Sequence, residues 1–99
     1  MAYRGLAHAK MGSHTPALED FARAIELAPR FPVPYGGRAL VFVAQGRFNE
    51  AIDSCNRAIS LGLRDAAIYK TRAVAHLGLG DIEKAWADQM LAELGSSAH

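Results

Sequence analysis

The chain repeats itself at an interval of 34 residues, and this period limits the fold more than any other feature of the sequence. Three series of small residues keep the interval: Gly12, Gly46 and Gly80; Ala17, Ala51 and Ala85; and Ala24, Ala58 and Ala92. A fixed period of this length is typical of stacked supersecondary units, because one unit cannot bury its apolar face alone. The small residues would let neighbouring helices approach to about 8–10 Å.

Each repeat predicts two helices joined by a short turn. In the first repeat, a helix near residues 2–11 ends before Gly12, and Thr15 is expected to cap a second helix that begins at Pro16. The segment APRFPVPY contains three prolines and therefore predicts a connection. The remaining helices have these predicted bounds: Pro34 to Gly46, Asn49 as an N-cap to Leu61, Asp65 as an N-cap to about Leu79, and Asp81 onwards, with fraying in GSSAH.

The composition of the segment LVFV, residues 40–43, does not favour the helix that this repeat pattern predicts. Four bulky apolar residues, two of them β-branched, favour a buried strand by intrinsic propensity. However, LVFV lies one repeat after LAHA and one repeat before VAHL, both in helical settings. Because tertiary context often overrides propensity, the period predicts a helix here.

The repeats resemble the tetratricopeptide repeat family, whose 34-residue helix–turn–helix unit has small residues, an aromatic residue and a proline at fixed positions. The first repeat matches that pattern at Gly5, Gly12, Ala17, Phe21, Ala24 and Pro29. The later repeats depart from it at Cys55, Leu63 and Gln89. The resemblance implies one all-α domain over residues 1–99, a right-handed α-solenoid of three repeats (about 1–31, 32–65 and 66–99) with six antiparallel helices.

The resemblance also implies a protein–protein interaction module that binds a peptide or helix on its concave inner face. The family positions that line this face correspond here to Leu6, Lys10, Gly36, Leu40, Val43, Lys70, Val74 and Leu77. Within LVFV, Leu40 and Val43 are then expected to face the groove, and Val41 and Phe42 the interior. Gly36 would leave room in the groove, or it would mark a loosely formed first turn. Alternatively, the apolar groove residues simply cover one another.

Family members that bind acidic C-terminal peptides carry a carboxylate clamp of lysine, asparagine and arginine side chains at five positions. The matching residues here are Ala2, Leu6, Gly37, Ala67 and Thr71. None of them carries a charge or an amide group that could hold a carboxylate. The departure predicts that this groove does not bind such peptides.

Three arginines keep the repeat interval and face possible partners sixteen residues later. Arg4 and Arg72 precede Asp20 and Asp88, whereas Arg38 precedes Ser54. In antiparallel helix pairs these residues would face one another, which predicts the ion pairs Arg4–Asp20 and Arg72–Asp88. Arg38 is expected to be the freest of the three. A row of anion-binding arginines is the alternative.

Catalytic and metal-binding patterns are missing from the sequence. His8 and His76 share a repeat position but lie two repeats apart, too far to hold one ion. Cys55 is expected to be a small buried apolar residue. The sequence contains no nucleophile elbow, phosphate-binding loop or paired-carboxylate motif. We therefore expect no enzyme activity, no metal and no cofactor.

The net charge of +1 is too small to attract nucleic acid or an anionic membrane over a distance. No apolar run approaches the roughly 18 residues of a membrane span, and the N-terminal MAYRGLAHAK lacks the order of a signal peptide. A single cysteine suits a reducing compartment. We therefore expect no nucleic-acid or membrane partner and a cytoplasmic location.

The last helix carries apolar residues that cannot all face the preceding repeat. Trp86, Met90 and Leu94 form a stripe at helical spacing, and Trp86 takes the repeat position of Leu18 and Ile52, which are expected to touch a following unit. This stripe predicts a homodimer surface. The alternatives are that Trp86 folds back over its own repeat, or that the chain is a piece of a longer array whose next repeat covers it.

Overall fold

The structure, a computed structural model, describes residues 14–97, with side chains from residue 14 to residue 94. Five helices occupy this part of the chain: α1 His14–Leu27, α2 Val33–Ala44, α3 Phe48–Ser60, α4 Ala66–Gly78 and α5 Ile82–Ser97. Residues 14–97 contain no strand, which confirms the predicted all-α class. The predicted helix near residues 2–11 lies outside the described residues, so five helices are observed where six were predicted.

The segment LVFV lies inside α2, as the repeat period predicted. Val41 and Phe42 are buried, and Leu40 is exposed. Val43 is only half-buried, because it packs against a cluster of Phe42, Ala51 and Ala75. Val41 and Phe42 are therefore buried as the sequence predicted, and Val43 is partly covered by the next repeat.

The helices stack in chain order. Each helix contacts the next one along the chain, and α2 also contacts α4. Three clusters of buried side chains run through the stack: Ala17, Phe21 and Val41; Phe42, Ala51 and Ala75; and Tyr35, Ala39, Cys55, Ala58 and Ile68. The second and third clusters each join α2, α3 and α4, so neighbouring repeats share one core.

The helix ends agree with the predicted bounds in part. Asp65 caps α4 as predicted, since its Oδ1 accepts a hydrogen bond of 2.9 Å from the Ile68 backbone N–H. The prediction that Asn49 caps α3 is wrong, because α3 begins at Phe48 and its N-cap residue is Arg47, with no side-chain cap bond. The guanidinium of Arg47 instead binds the Glu50 carboxylate across the first turn.

Two more helix ends differ from the sequence-based bounds. The helix predicted to start at Pro16 already includes His14, so Thr15 lies inside α1 and is not its N-cap. The last helix does not fray at Gly95 but continues to Ser97. Differences of one or two residues at helix ends are ordinary, and no contact described below depends on them.

Glycines follow the first helices of the second and third repeats. Gly46 and Gly80 follow α2 and α4 with φ of +74° and +78°, a conformation that side chains with a Cβ rarely adopt. Their backbone N–H groups donate to the carbonyls of Val43 and Leu77, at 3.0 Å in each turn. In these two repeats, the glycines of the 34-residue series therefore mark the turn between the two helices.

A second kind of glycine lets helices approach closely. A Cβ placed on Gly37 of α2 would lie 2.4 Å from Cζ of Phe21, which is fully buried in α1. Gly78 of α4 has the same relation to the Phe48 ring, also at 2.4 Å. In both places a large ring packs directly on the backbone of another helix, so glycine is required by packing rather than by backbone conformation.

Two arginines of the series, Arg38 and Arg72, are held by polar side chains of the following helix. Arg72 binds the Asp88 carboxylate through two hydrogen bonds of 2.8 and 2.7 Å, which confirms this predicted ion pair. Arg4 lies outside the described residues, so its predicted pair with Asp20 does too. Within residues 14–97 Arg38 makes no ion pair, but it is not free, because its Nε donates to Ser54 Oγ at 3.1 Å and its guanidinium lies over the Tyr35 ring.

Candidate functional site

A hollow opens between α2 and α4, the first helices of the second and third repeats. Its volume is about 300 Å³, and its lining is mostly apolar. The residues that form it include Val33, Gly36, Leu40, Leu63, Ala67 and Ile68. We call it the α2–α4 groove.

The missing side chain of Gly36 makes room in this groove. A Cβ at this position would lie 3.2 Å from Leu63 Cδ2 and 3.6 Å from Ile68 Cδ1. Gly36 lies inside the helix α2, so the alternative of a loosely formed first turn does not hold. Gly37, its neighbour, packs on Phe21 of the preceding repeat. Both glycines line the groove, but an added Cβ would meet groove residues at Gly36 and the buried Phe21 ring at Gly37.

The polar side chains at the groove are occupied by local hydrogen bonds. The Asp65 carboxylate accepts from the Ile68 backbone N–H at 2.9 Å, and the Thr71 hydroxyl donates to the Ala67 carbonyl at 2.8 Å. The wall is otherwise aliphatic, with Leu40 48% exposed. This arrangement suits an apolar side chain better than an anionic group, because none of the residues that line the groove carries a positive charge.

The structure brings only some of the predicted groove residues together. Gly36 and Leu40 line the α2–α4 groove, whereas Leu77 lines a different hollow, which includes Trp86. The side chains of Lys70 and Val74 are exposed on α4. Leu6 and Lys10 lie outside the described residues, and Val43 is half-buried against the core, as described above.

The second hollow lies between α4 and α5, at the C-terminal end of the described helices. Its volume is about 240 Å³, and Ala73, Leu77, Ile82, Ala85, Trp86 and Gln89 line it. We call it the terminal face. Sequence reasoning placed Leu77 in the groove and missed this hollow. The sequence did contain a sign of this hollow, because Leu77 and Trp86 lie one repeat of 34 residues after Val43 and Ile52.

The predicted dimer residues are exposed. Trp86 is 65% exposed, and Met90 and Leu94 are also exposed. Trp86 therefore does not fold back far enough over its own repeat to be covered, although it contributes to the terminal face beside Leu77. The exposure shows an apolar surface at this end of the described chain.

A polar pocket on another side of α5 contains charged residues that are already paired. Asp88 is buried and binds Arg72, and His76 Nε2 lies 3.6 Å from the same carboxylate. Lys84 lies 3.6 Å from the Asp81 carboxylate, and Arg72 also donates to Asn56 at 2.8 Å. Because the cations have carboxylate partners, this pocket does not favour the anion-binding alternative.

Other site types lack support in the described part of the chain. No group of three or more histidine, cysteine, aspartate and glutamate side chains there could hold a metal ion. Burial raises the pKa of the Cys55 thiol to about 12, although the charge of nearby Arg72 lowers it. Within residues 14–97, no helix combines the length and the apolar composition that a membrane crossing requires.

Comparison with known proteins gives a consistent result. The sequence model described as "Tetratricopeptide repeat" matches residues 4–31 and 34–61. Curated relatives include the FAM10 family protein At4g22670 of Arabidopsis thaliana, 36% identical over 82% of this chain, and the Hsp70-Hsp90 organizing protein of Triticum aestivum, 32% identical over 83%. The match spans only 18% and 14% of the length of these two relatives.

Two solved structures have the same arrangement of helices. The second TPR of Spaghetti (RPAP3), bound to the HSP90 peptide SRMEEVD, has a TM-score of 0.87 and 25% identity, over 93% of this chain and 85% of that one. MamA MSR-1 C2 has a TM-score of 0.85 and 21% identity, over 95% of this chain and 54% of that one, and shows likeness of fold.

Proposed function

This chain belongs to the tetratricopeptide repeat family, and we propose that it is a protein-interaction module whose α2–α4 groove binds a peptide or helix of a partner protein. We infer in addition that the three repeats form a right-handed solenoid of six helices, since the family match to residues 4–31 includes most of the predicted first helix. The proposal involves no catalytic step and no cofactor.

One observation carries the proposal: an apolar hollow lies beside exposed Leu40, and its polar side chains are already hydrogen-bonded. A bulky apolar side chain of a partner would fill the space left by Gly36. Exposed apolar surface of this kind often marks a binding site in soluble proteins. The names of the similar proteins add support, because one similar domain is bound to an HSP90 peptide and one relative is called an Hsp70-Hsp90 organizing protein.

Replacing Leu40 with glutamate should abolish peptide binding while changing the free energy of unfolding by no more than about 0.5 kcal/mol, as for most exposed substitutions. The charge would lie in an apolar hollow without a partner. Peptides selected from a displayed random library would supply the ligand, and calorimetry would measure its affinity. We expect the selected peptides to share one bulky apolar residue.

Leu27→Glu is the matched control for this experiment. Leu27 is 67% exposed near the end of α1 and does not line the groove, so this variant should bind like the wild type. Equal loss of binding in both variants would contradict the groove assignment. So would unfolding of the Leu40→Glu variant, measured by circular dichroism, because Leu40 would then be a core residue.

We also expect no measurable binding of the peptide SRMEEVD, even though a similar domain is bound to it. Of the five clamp positions, Gly37 packs on Phe21, Thr71 donates its hydroxyl to a backbone carbonyl, and Ala67 has no polar side-chain atom. None of these three supplies a cation for the acidic peptide. Calorimetric titration would check this, with the Spaghetti domain as positive control, and micromolar affinity for this chain would refute it.

A further inference from the structure

Arg38 of α2 and Arg72 of α4 are repeat equivalents that take the same position in their repeats. The guanidinium carbon of Arg72 lies 5.7 Å from the centre of the Tyr69 ring. The guanidinium carbon of Arg38 lies 5.3 Å from the centre of the Tyr35 ring, one repeat earlier. In both repeats the arginine Nε donates to the side chain sixteen residues later, in the next helix. The two arginines can therefore be compared atom by atom.

The partners of Arg72 are missing from the second repeat. Arg72 binds Asp88 through Nε and Nη2, at 2.8 and 2.7 Å, and its Nη1 donates to Asn56 Oδ1 at 2.8 Å. The residues 34 positions earlier are Ser54 and Ala22. Serine carries no charge and alanine has no polar side-chain atom. The second repeat therefore lacks both the carboxylate and the amide oxygen that the third repeat supplies.

Arg38 consequently keeps a single hydrogen bond, from Nε to the buried Ser54 hydroxyl at 3.1 Å. Within residues 14–97, its terminal nitrogens Nη1 and Nη2 have no acceptor. The half-buried guanidinium is nevertheless held in place, because the rings of Tyr35 and Phe42 lie 5.3 and 5.9 Å from its carbon. Aromatic rings attract the cation, but they do not replace the carboxylate that holds Arg72.

The nearby Glu50 is already bound by another arginine. The pKa of the Glu50 carboxyl is lowered chiefly by its hydrogen bonds from Arg47, and the charge of Arg38 makes a smaller contribution. Arg47 donates to both oxygens of that carboxylate. A further cation, Arg57, lies 5.9 Å from the centre of the Tyr35 ring, and it has no carboxylate partner in the described part of the chain. The charges around Tyr35 therefore favour an added anion.

We propose that Arg38 is a binding site for one carboxylate, which an aspartate or glutamate side chain of a partner protein supplies. A carboxylate is the group that the fold itself places on the equivalent arginine. Its two oxygens accept from Nη1 and Nη2, a geometry that arginine favours. Ala22 is exposed and small, so it leaves open the side that Asn56 occupies in the next repeat. Ser54 acts as a positioning residue, because it holds Nε from the interior.

This site is separate from the α2–α4 groove. The groove is lined by α2, α4 and the turn before α4, with Gly36 and Leu40 as its α2 residues nearest to Arg38 in sequence apart from Gly37. Arg38 does not line the groove, and its partner Ser54 belongs to α3. Binding at Arg38 therefore does not depend on the proposed function of the groove.

Sodium acetate is the probe for the carboxylate, and NMR of the arginine Nε–H groups in the whole domain is the readout. Replacing chloride with acetate at constant ionic strength should give a saturable shift of the Arg38 signal. The Arg72 signal is the internal control. It should stay unchanged, because Asp88 already occupies that guanidinium.

Two variants fill the site from within the chain. Ser54→Asp copies the third repeat and should weaken acetate binding at Arg38 at least about tenfold, because the new carboxylate takes the place of acetate. Ala22→Asn supplies the amide oxygen instead and should weaken binding about threefold, as expected for one competing hydrogen bond. Since Ala22 is exposed, this second variant keeps the test valid if Ser54→Asp does not fold.

The source of the carboxylate is tested with N-acetylglutamate N-methylamide, which should shift the Arg38 signal as acetate does, whereas the uncharged glutamine counterpart should not. Equal shifts of Arg38 and Arg72 with acetate would indicate general screening and would overturn the proposal. Unchanged acetate affinity in the folded variants would overturn it as well. Inorganic phosphate that binds more than about tenfold tighter than acetate would assign the site to a phosphate group and would also overturn it.

Discussion

Replacing Arg72 with methionine is expected to lower the free energy of unfolding by about 3–5 kcal/mol, because the buried Asp88 carboxylate loses the partner that binds both of its oxygens and keeps only His76 at 3.6 Å. Asp88 is only 3% exposed, and Arg72 holds it with hydrogen bonds of 2.8 and 2.7 Å. Small domains are stable by about 5–15 kcal/mol in total, so the loss is a large fraction. Urea denaturation followed by circular dichroism would measure it.

The second repeat supplies the matched control for Arg72. There Arg38 donates to Ser54 at 3.1 Å in place of an ion pair, so Asp88→Ser converts the third repeat to an arrangement that the chain already contains. This variant should lose much less stability than Arg72→Met, and the double variant Arg72→Met/Asp88→Ser should recover part of the loss. If Asp88→Ser proves as destabilising as Arg72→Met, the buried unpaired carboxylate is not the cause.

Gly37→Ala is expected to destabilise the domain by about 1–3 kcal/mol, the usual cost of overpacking a core. The new Cβ would lie 2.4 Å from Cζ and 2.5 Å from Cε1 of Phe21. Phe21 is fully buried, so its ring has little free space to move into. Better helix propensity of alanine, worth about 1 kcal/mol, offsets part of this cost. Thermal and urea unfolding would both report the change.

The adjacent Gly36→Ala is the control, with the same chemical change in the same helix turn. Its Cβ would lie 3.2 Å from Leu63 Cδ2, the far end of a flexible side chain. We therefore expect unchanged or slightly increased stability. Phe21→Leu should also reduce the cost of Gly37→Ala in the double variant. If Gly36→Ala and Gly37→Ala destabilise the domain equally, the loss of stability comes from alanine in this turn of α2 and not from contact with Phe21.

The repeat period predicted the elements of this fold more reliably than residue propensity did. LVFV is a helix although its composition favours a strand, and Arg72 pairs with Asp88 because antiparallel helices bring residues sixteen apart together. Asp65 caps α4 because it stands just before the helix with an extended backbone, so its carboxylate can accept a hydrogen bond from the Ile68 N–H. These features follow from spacing along one or two helices.

Features that depend on contacts between repeats could not be predicted in the same way. The roles of Gly36 and Gly37 look alike in the sequence, and only the position of Phe21 in α1 separates them. Val43 is half-buried because Ala75 of α4 lies near it, whereas its equivalent Leu77 has no such neighbour among the described residues. The Arg47–Glu50 interaction likewise replaced the expected Asn49 cap.

Because Cys55 is buried, the rate of its alkylation measures how often the folded chain opens around it. This thiol is inaccessible at the meeting point of α2, α3 and α4, and burial raises its pKa to about 12. Alkylation therefore has to wait until the middle of the stack separates, because only an exposed thiolate reacts. Comparing the rate of Cys55 alkylation with the rate of global unfolding would tell whether the repeats around Cys55 separate alone or together with the rest of the stack.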